Sequence, residues 1–351
     1  MSVQLLNTTE EEAAFLIEID AKTFEKALIE EYNKETKTQE KKPNAAFLSN
    51  VAILKQYSGL QRITDKAIGK LMPSYYQNAI DQLGLHPMSF PKFVPRMIEP
   101  GQPCVIEVQV IIEPRIELKK YEGLQAAYTP VVVTDLDIAK QIKGLRKQHD
   151  NDDAKLLEKY PFDTIEALQE EMRNSLNSMA EEKTADNIKD AVINKLIEEN
   201  PLEVREEIIE QQVMVEINQL SKQMGPKFLD SYLKSSGKTL TELKKEVRPQ
   251  AEKTVKKNLL LAAVADKINP EITEEELKEE VMKHPASLMD FSSDYETRRK
   301  RLEQNPGALE QIKHAIRLNK ALDYLVSKAV LQENEPRSVM DTLPDFMKPE
   351  E

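Results

Sequence analysis

Residues 164–200 read TIEALQEEMRNSLNSMAEEKTADNIKDAVINKLIEEN, and neither glycine nor proline interrupts the chain between Phe162 and Asn200. Leu168, Met172, Leu176 and Met179 recur at helical spacing, and Ile188, Val192 and Leu196 form a second stripe. Thr164 is a ready N-cap, since its hydroxyl can accept from the first free amides. The pattern predicts one helix from Ile165 to Glu199. At 1.5 Å per residue such a helix spans roughly 50 Å. A compact globule built from the helical residues after Ala154 would be only roughly 40 Å across. An elongated helical body is therefore expected.

Both sides of this helix read differently. Downstream, apolar residues keep helical spacing: Ile208, Ile209, Val213, Ile217, Leu220 and Met224 after Pro201, then Phe228, Leu229, Tyr232 and Leu233 up to Gly237. Thr239 with Glu242, and Thr273 with Glu276, are capping boxes. Leu259 to Val264 is the most apolar segment of this half and is expected in its core. A last helix carries Leu309, Ile312, Ile316, Leu322, Leu325 and Val326. The tail from Glu333 is punctuated by prolines and is expected to be mobile.

Upstream, six of the nine glycines lie at or before Gly144. Strand signals concentrate there: Ala14 to Ile19, Phe93-Val94, and the β-branched run Cys104 to Ile111. Helices are predicted from Asp20 to about Glu35, from Leu48 to Tyr57, and from Arg62 to Leu83 with Pro73 bending the last. Ala126 to Val133 reads as an extended connection. Thr134 with Asp137 then starts a helix to about Gln148, and His149 to Asp153 makes an acidic turn. The fold class is α+β: a small N-terminal α+β domain with an antiparallel sheet, followed by an elongated all-α domain with helical arms.

Composition excludes several chemistries. Asp and Glu number 61 against 49 Lys and Arg, a net charge of −12 that disfavours bulk nucleic acid. A single cysteine, Cys104, rules out a disulfide framework and a cysteine-built zinc site. Its place beside Val105 and Ile106 predicts a buried, inert thiol. His86, His149, His284 and His314 show no metal-ligand spacing. No GxGxxG, Walker or GxSxG pattern occurs. The acidic runs Glu10 to Glu12 and Glu274 to Glu276 suit helix starts or solvated ends. Arg298 to Arg301 reads as a solvated helix face. No apolar run approaches the roughly 18 residues needed to cross a bilayer. With no secretory signal in the first residues, a cytoplasmic location is expected. No catalytic residue, cofactor or metal site is predicted. A binding surface is: twelve methionines occur, and Met with sparse aromatics falls near helix ends.

The order of elements resembles the bacterial trigger factor family of ribosome-associated chaperones. The resemblance runs through Phe15 to Ile19, Leu54 to Tyr57, Ala79-Ile80, Phe93 to Pro95 and Val105 to Val108. It continues through Glu113 to Leu118, Val133 to Asp135, Leu145 to Gln148, Leu168 to Arg173 and Leu259 to Ala265. It implies a chaperone that needs no ATP and holds unfolded or nascent polypeptides in a cradle of helical arms. Those arms would be roughly 208–258 and 271–311, supported by the long helix from Ile165. Two departures stand out. Family members carry an FKBP-like prolyl isomerase domain after the Leu-Arg-Lys-Gln helix; here the helical part follows Gln148 almost directly. The family's ribosome-docking loop, Gly-Phe-Arg-Lys-Gly-Lys, is matched by Lys42-Pro43-Asn44-Ala45-Ala46-Phe47.

The expected domains are 1–125, trigger-factor-like and of ribosome-binding type; 126–153, a connecting strand and helix; 154–332, the helical chaperone domain; and 333–351, a flexible tail. The candidate docking loop is Lys41, Lys42, Pro43, Asn44 and Ala45. The candidate client-binding residues are Met224, Phe228, Tyr232, Leu233, Leu288, Met289 and Phe291. Partners would be unfolded or nascent polypeptides, the ribosome as far as the altered loop permits, and a second copy in a homodimer, with no membrane partner. The competing reading is a dedicated assembly partner of one folded protein, unconnected to the ribosome.

Overall fold

The computed structural model describes residues 2–37, 50–225, 228–283, 294–304 and 307–343, with the side chains of Lys37, Asn50, Gln223, Met224, Phe228 and Asp230 set aside. By compactness the chain forms two units. One comprises Met1–Glu117, Val204–Leu259 and Glu271–Arg317; the other comprises Leu118–Glu203, Leu260–Pro270 and Leu318–Glu351.

The first unit begins with strands β1 (Ser2–Thr8) and β2 (Glu12–Ile19), helices α1 (Ala21–Lys37), α2 (Asn50–Gln56) and α3 (Leu60–Leu83), and strands β3 (Lys92–Met97) and β4 (Cys104–Ile111). The strands make an antiparallel sheet in the order β1-β2-β4-β3. Strand side chains alternate between faces, so partners in register share a face. Phe15 pairs with Val108 and Ile17 with Ile106, and all four are buried. They pack with Phe24 and Leu28 of α1 and Ile63, Ala67 and Ile80 of α3. Cys104 lies in this core, and burial pushes its thiol up to about 11, where a reactive thiolate is scarce. Asp20 caps α1 by accepting from the Thr23 amide at 2.9 Å. Strand β1 was not foreseen; Ser2 to Thr8 is almost wholly exposed, so no alternation marks it.

Ion pairs at the surface also link α1 to α3. Arg62 reaches Glu35 at 2.6 Å, Lys66 reaches Glu35 at 3.6 Å, and Lys70 reaches Glu30 at 2.6 Å. On β4, Glu107 is buried, and hydrogen bonds from Gln109 and Arg96 hold its carboxyl below the usual range.

The second unit takes up the chain with β5 (Gln125–Tyr128), β6 (Val131–Val132), α4 (Asp135–Gln148), α5 (Asp153–Leu157) and α6 (Ile165–Glu199). Thr134 and Asp137 close a full capping box on α4, and Thr164 caps α6 by accepting from Ala167 at 3.1 Å. Helix α6 has the predicted bounds. Asn200 ends it and is buried. Its side chain accepts from the Lys119 and Lys120 amides at 2.7 and 3.2 Å, and donates to the Lys120 and Leu196 carbonyls at 2.7 and 2.8 Å.

Next come α7 (Glu206–Met224), α8 (Phe228–Ser236), α9 (Leu240–Ile268), α10 (Glu274–Lys283), α11 (Tyr295–Gln304) and α12 (Ala308–Lys328). Pro201 does not open α7, as the sequence suggests; the helix starts five residues later at Glu206. In the first unit, Arg205 pairs with Glu12 at 2.5 Å, and the Phe90 amide donates to Gln211 at 3.3 Å. Leu260, Leu261 and Val264 are buried, as their apolar run requires.

Over residues 333–343 the structure corrects the expectation of a mobile tail from Glu333. Strands β7 (Val330–Glu333) and β8 (Arg337–Ser338) pair in parallel with β5 and β6. Helix α13 (Val339–Thr342) follows, and Val339, Met340 and Leu343 are buried in a cluster with Ile138, Ile142, Leu168 and Leu176. Pro336 does not prevent this, because it lies between the two short strands. Apolar burial at 339, 340 and 343 offsets the entropy of fixing the segment.

Candidate functional site

The first arm is the hairpin of α7, α8 and α9. Its core holds Ile209, Val213, Ile217, Leu243 and Ala251, with Val204, Leu229, Tyr232, Leu233 and Val247 packed around it. Local chemistry sets the turns. Gly237 takes φ +67° after α8, a left-handed conformation that other residues rarely adopt. Thr239 and Glu242 then form the predicted capping box: the Thr239 amide donates to the Glu242 carboxylate at 2.8 Å, and the Glu242 amide donates to the Thr239 hydroxyl at 3.3 Å. Arg248 of α9 forks onto the Glu206 carboxylate at the base of α7.

Burial falls away along α7. Ile209, Val213 and Ile217 are 4, 4 and 1% exposed, but Leu220, the next residue of the stripe, is 41% exposed. The apolar face therefore outruns its own core before the helix ends. Met214, Val215 and Leu240 are exposed as well.

The second arm comprises α10, α11 and α12. Leu277, Val281, Ile312 and Ile316 form its core, bordered by Ile272, Tyr295, Leu302 and Leu309. Thr273 and Glu276 make the predicted capping box. The basic run on α11 is no plain solvated face. Arg298 is buried and donates to the Met282 carbonyl at 2.8 Å. Arg299 bonds Glu274 and Glu303 and lies against the Tyr295 ring. Two of the four cations thus clamp α11 to α10.

Of the residues singled out in the sequence, Tyr232 and Leu233 are half-buried at the edge of the first arm's core. Met224 is the last residue of α7 and Phe228 the first of α8. Leu288, Met289 and Phe291 lie outside the described residues, as do Lys41, Lys42, Pro43, Asn44 and Ala45. Sequence reasoning did not assign Leu220 to the site. Its signal was present: it lies three residues past Ile217, where the stripe approaches a glycine-proline break.

After α4 the chain makes a tight turn. Asp150 and Asn151 both have φ of +57°, a left-handed pair that Asp and Asn tolerate better than most residues. Arg146 spans the turn to Asp153 with two hydrogen bonds of 2.6 and 2.8 Å. Among the described residues, no group of three or more His, Cys, Asp or Glu is placed to hold a metal ion. Among them too, no helix is long and apolar enough to cross a membrane.

An N-terminal α+β sheet domain followed by capped helical arms sets the architecture, and the sequence comparisons give the family. The pattern for the bacterial trigger factor protein matches residues 1–145, and that for its C-terminus matches residues 164–327. The chain belongs to the trigger factor family. It is 22% identical to the trigger factor of Shouchella clausii (strain KSM-K16), covering 95% of this chain and all of that protein. It is 23% identical to that of Bacillus pumilus (strain SAFR-032), covering 93% and 99%. The first alignment runs over 446 positions against 351 residues here, so that relative carries residues with no counterpart in this chain. A solved trigger factor chaperone structure, described by its promiscuous substrate recognition in folding and assembly, covers 93% of this chain and all of its own. Its identity is 13% and its TM-score 0.38, a likeness that carries no argument.

Proposed function

We propose that this chain is a holdase that works without ATP, binding unfolded or nascent polypeptides on the apolar ends of its arms. The observation that supports this most is the α7 stripe, buried at Ile217 and open at Leu220. Tyr232 and Leu233, half-buried at the same end, extend it. Burying one such side chain completely yields about 1.5–3 kcal/mol, so a few partial contacts give micromolar, reversible binding. Leu288, Met289 and Phe291 are proposed as the corresponding contacts of the second arm.

The chain is proposed to lack prolyl isomerase activity. Only residues 146–163 separate the two matched segments, and a domain needs about 50 residues at least. Ribosome docking is proposed to be weak. The loop has Pro43-Asn44-Ala45 where the family has Phe-Arg-Lys. The cations Arg62, Lys66 and Lys70 on α3 are already engaged by Glu35 and Glu30. The test is light scattering of a chemically denatured client diluted into buffer with the purified protein and no nucleotide. Suppression of scattering at near-stoichiometric protein is expected; aggregation at the rate of the client alone would end the holdase reading.

A further inference from the structure

The two edges of the N-terminal sheet are built differently. The β3 edge carries Lys92, Pro95 and Arg96, with a register shift between Pro95 and Met97. Charge and proline keep a strand edge from pairing with another chain, and it is in these, not in the register shift that both edges have, that the two differ. The β1 edge, Ser2 to Thr8, has neither charge nor proline. It pairs with β2 on one side, and no strand among the described residues pairs with its other side. Its register slips between Leu5 and Asn7, which leaves Ser2–Leu5 as the straight part of the edge. Leu5 and Leu6 are 43 and 47% exposed.

We infer that β1 is a second contact for polypeptide clients, which add an extended segment to this edge through main-chain hydrogen bonds. The inference rests on the holdase reading and supplies a site apart from the arms. Strand addition draws its affinity from the backbone, so it tolerates many sequences, and Leu5 and Leu6 add apolar contact. An uncharged edge turns away neither acidic nor basic segments. A second copy of this chain is the poorer occupant. A contact confined to one seven-residue edge falls short of the roughly 1,200 Å² that stable specific complexes bury. Two chains of net charge −12 also repel each other.

The test is hydrogen exchange on the full chain, with reduced, carbamidomethylated lysozyme as a permanently unfolded probe. It is run in 0.5 M salt, where attraction between opposite net charges is screened. Protection of amides within Ser2–Thr8 is expected on adding the probe. The variant carrying Gln4→Lys and Leu6→Lys changes only exposed positions, so its melting curve should match the parent. It should lose that protection and bind the probe roughly tenfold more weakly, the equivalent of one or two main-chain hydrogen bonds. Probe binding with exchange in β1 unchanged overturns the edge site and leaves the holdase reading standing. Dimerisation of the chain through β1, seen as concentration-dependent protection without probe, overturns the choice of occupant. Absence of probe binding altogether overturns both.

Discussion

Ser338 donates a 2.7 Å hydrogen bond to the Asp137 carboxylate, tying the end of the chain to the first turn of α4 across 201 residues of sequence. The same Asp137 accepts from the Thr134 amide and hydroxyl, each at 2.8 Å. Ser338 in turn accepts from the Met340 amide at 3.1 Å and so starts α13. One buried carboxylate thus joins two helix starts.

Removing that link should loosen the C-terminal segment. Ser338→Ala leaves a buried acceptor short of a partner and an uncapped α13, a loss of about 1–3 kcal/mol. Thermal melting and limited proteolysis check it. Cleavage should appear first between 330 and 343, while α6 stays intact.

Asp137 also gives a pH signature. Burial works to raise its pKa; hydrogen bonds from the Thr134 backbone, then from the Ser338 and Thr134 hydroxyls, outweigh burial and hold the carboxyl below its ordinary 3.8. A depressed folded-state pKa adds stability above the unfolded value and loses it as pH falls through the folded one. The parent should therefore lose stability more steeply than Asp137→Asn below about pH 4. Parallel acid slopes for the two proteins would remove Asp137 from the account.

Asn200 makes a sharper stability test. It closes α6 and satisfies both amides and one carbonyl of 119–120, with no water needed. Asn200→Ala strands those groups and should cost about 2–4 kcal/mol, read as a shift in urea midpoint without a change in slope. Asn200→Asp keeps the acceptor and loses the donor, so it should also destabilise.

Much of this was legible in the sequence. Helix α6 and both Thr-Glu capping boxes follow from apolar spacing and one hydroxyl each, because helix signals are local. Strands β2 and β4 announced themselves through alternation against one core. Strand β1 did not, since a nearly all-exposed edge strand has no alternation to read. Strands β5 and β6 were foreseen only as one extended connecting strand, and β7, β8 and α13 were missed, for another reason. Each is two to four residues long and exists only through a partner about 200 residues away, which no local pattern encodes. Of the candidate site, Tyr232 and Leu233 were found by their apolar spacing near a turn. Leu220 was read only as one member of an apolar stripe that looks uninterrupted; the structure shows where its packing partners run out.

The tight turn after α4 should depend on its left-handed residues. Asn151→Val forces a β-branched side chain to φ +57° and should destabilise by about 1–2 kcal/mol, whereas Asn151→Gly should be neutral or better. Melting curves of the pair decide it. Equal effects would mean that the turn is held elsewhere.

The central claim is that clients touch the end of the first arm. Site-specific photo-crosslinking tests it most directly, with a benzophenone side chain placed at Leu220, at Tyr232, and at the exposed Leu136 of the second unit as control. The account predicts adducts with an unfolded client from positions 220 and 232, competed by unlabelled client, and few from 136. Client held in solution by the protein, with no adduct above control at 220 or 232, would contradict it.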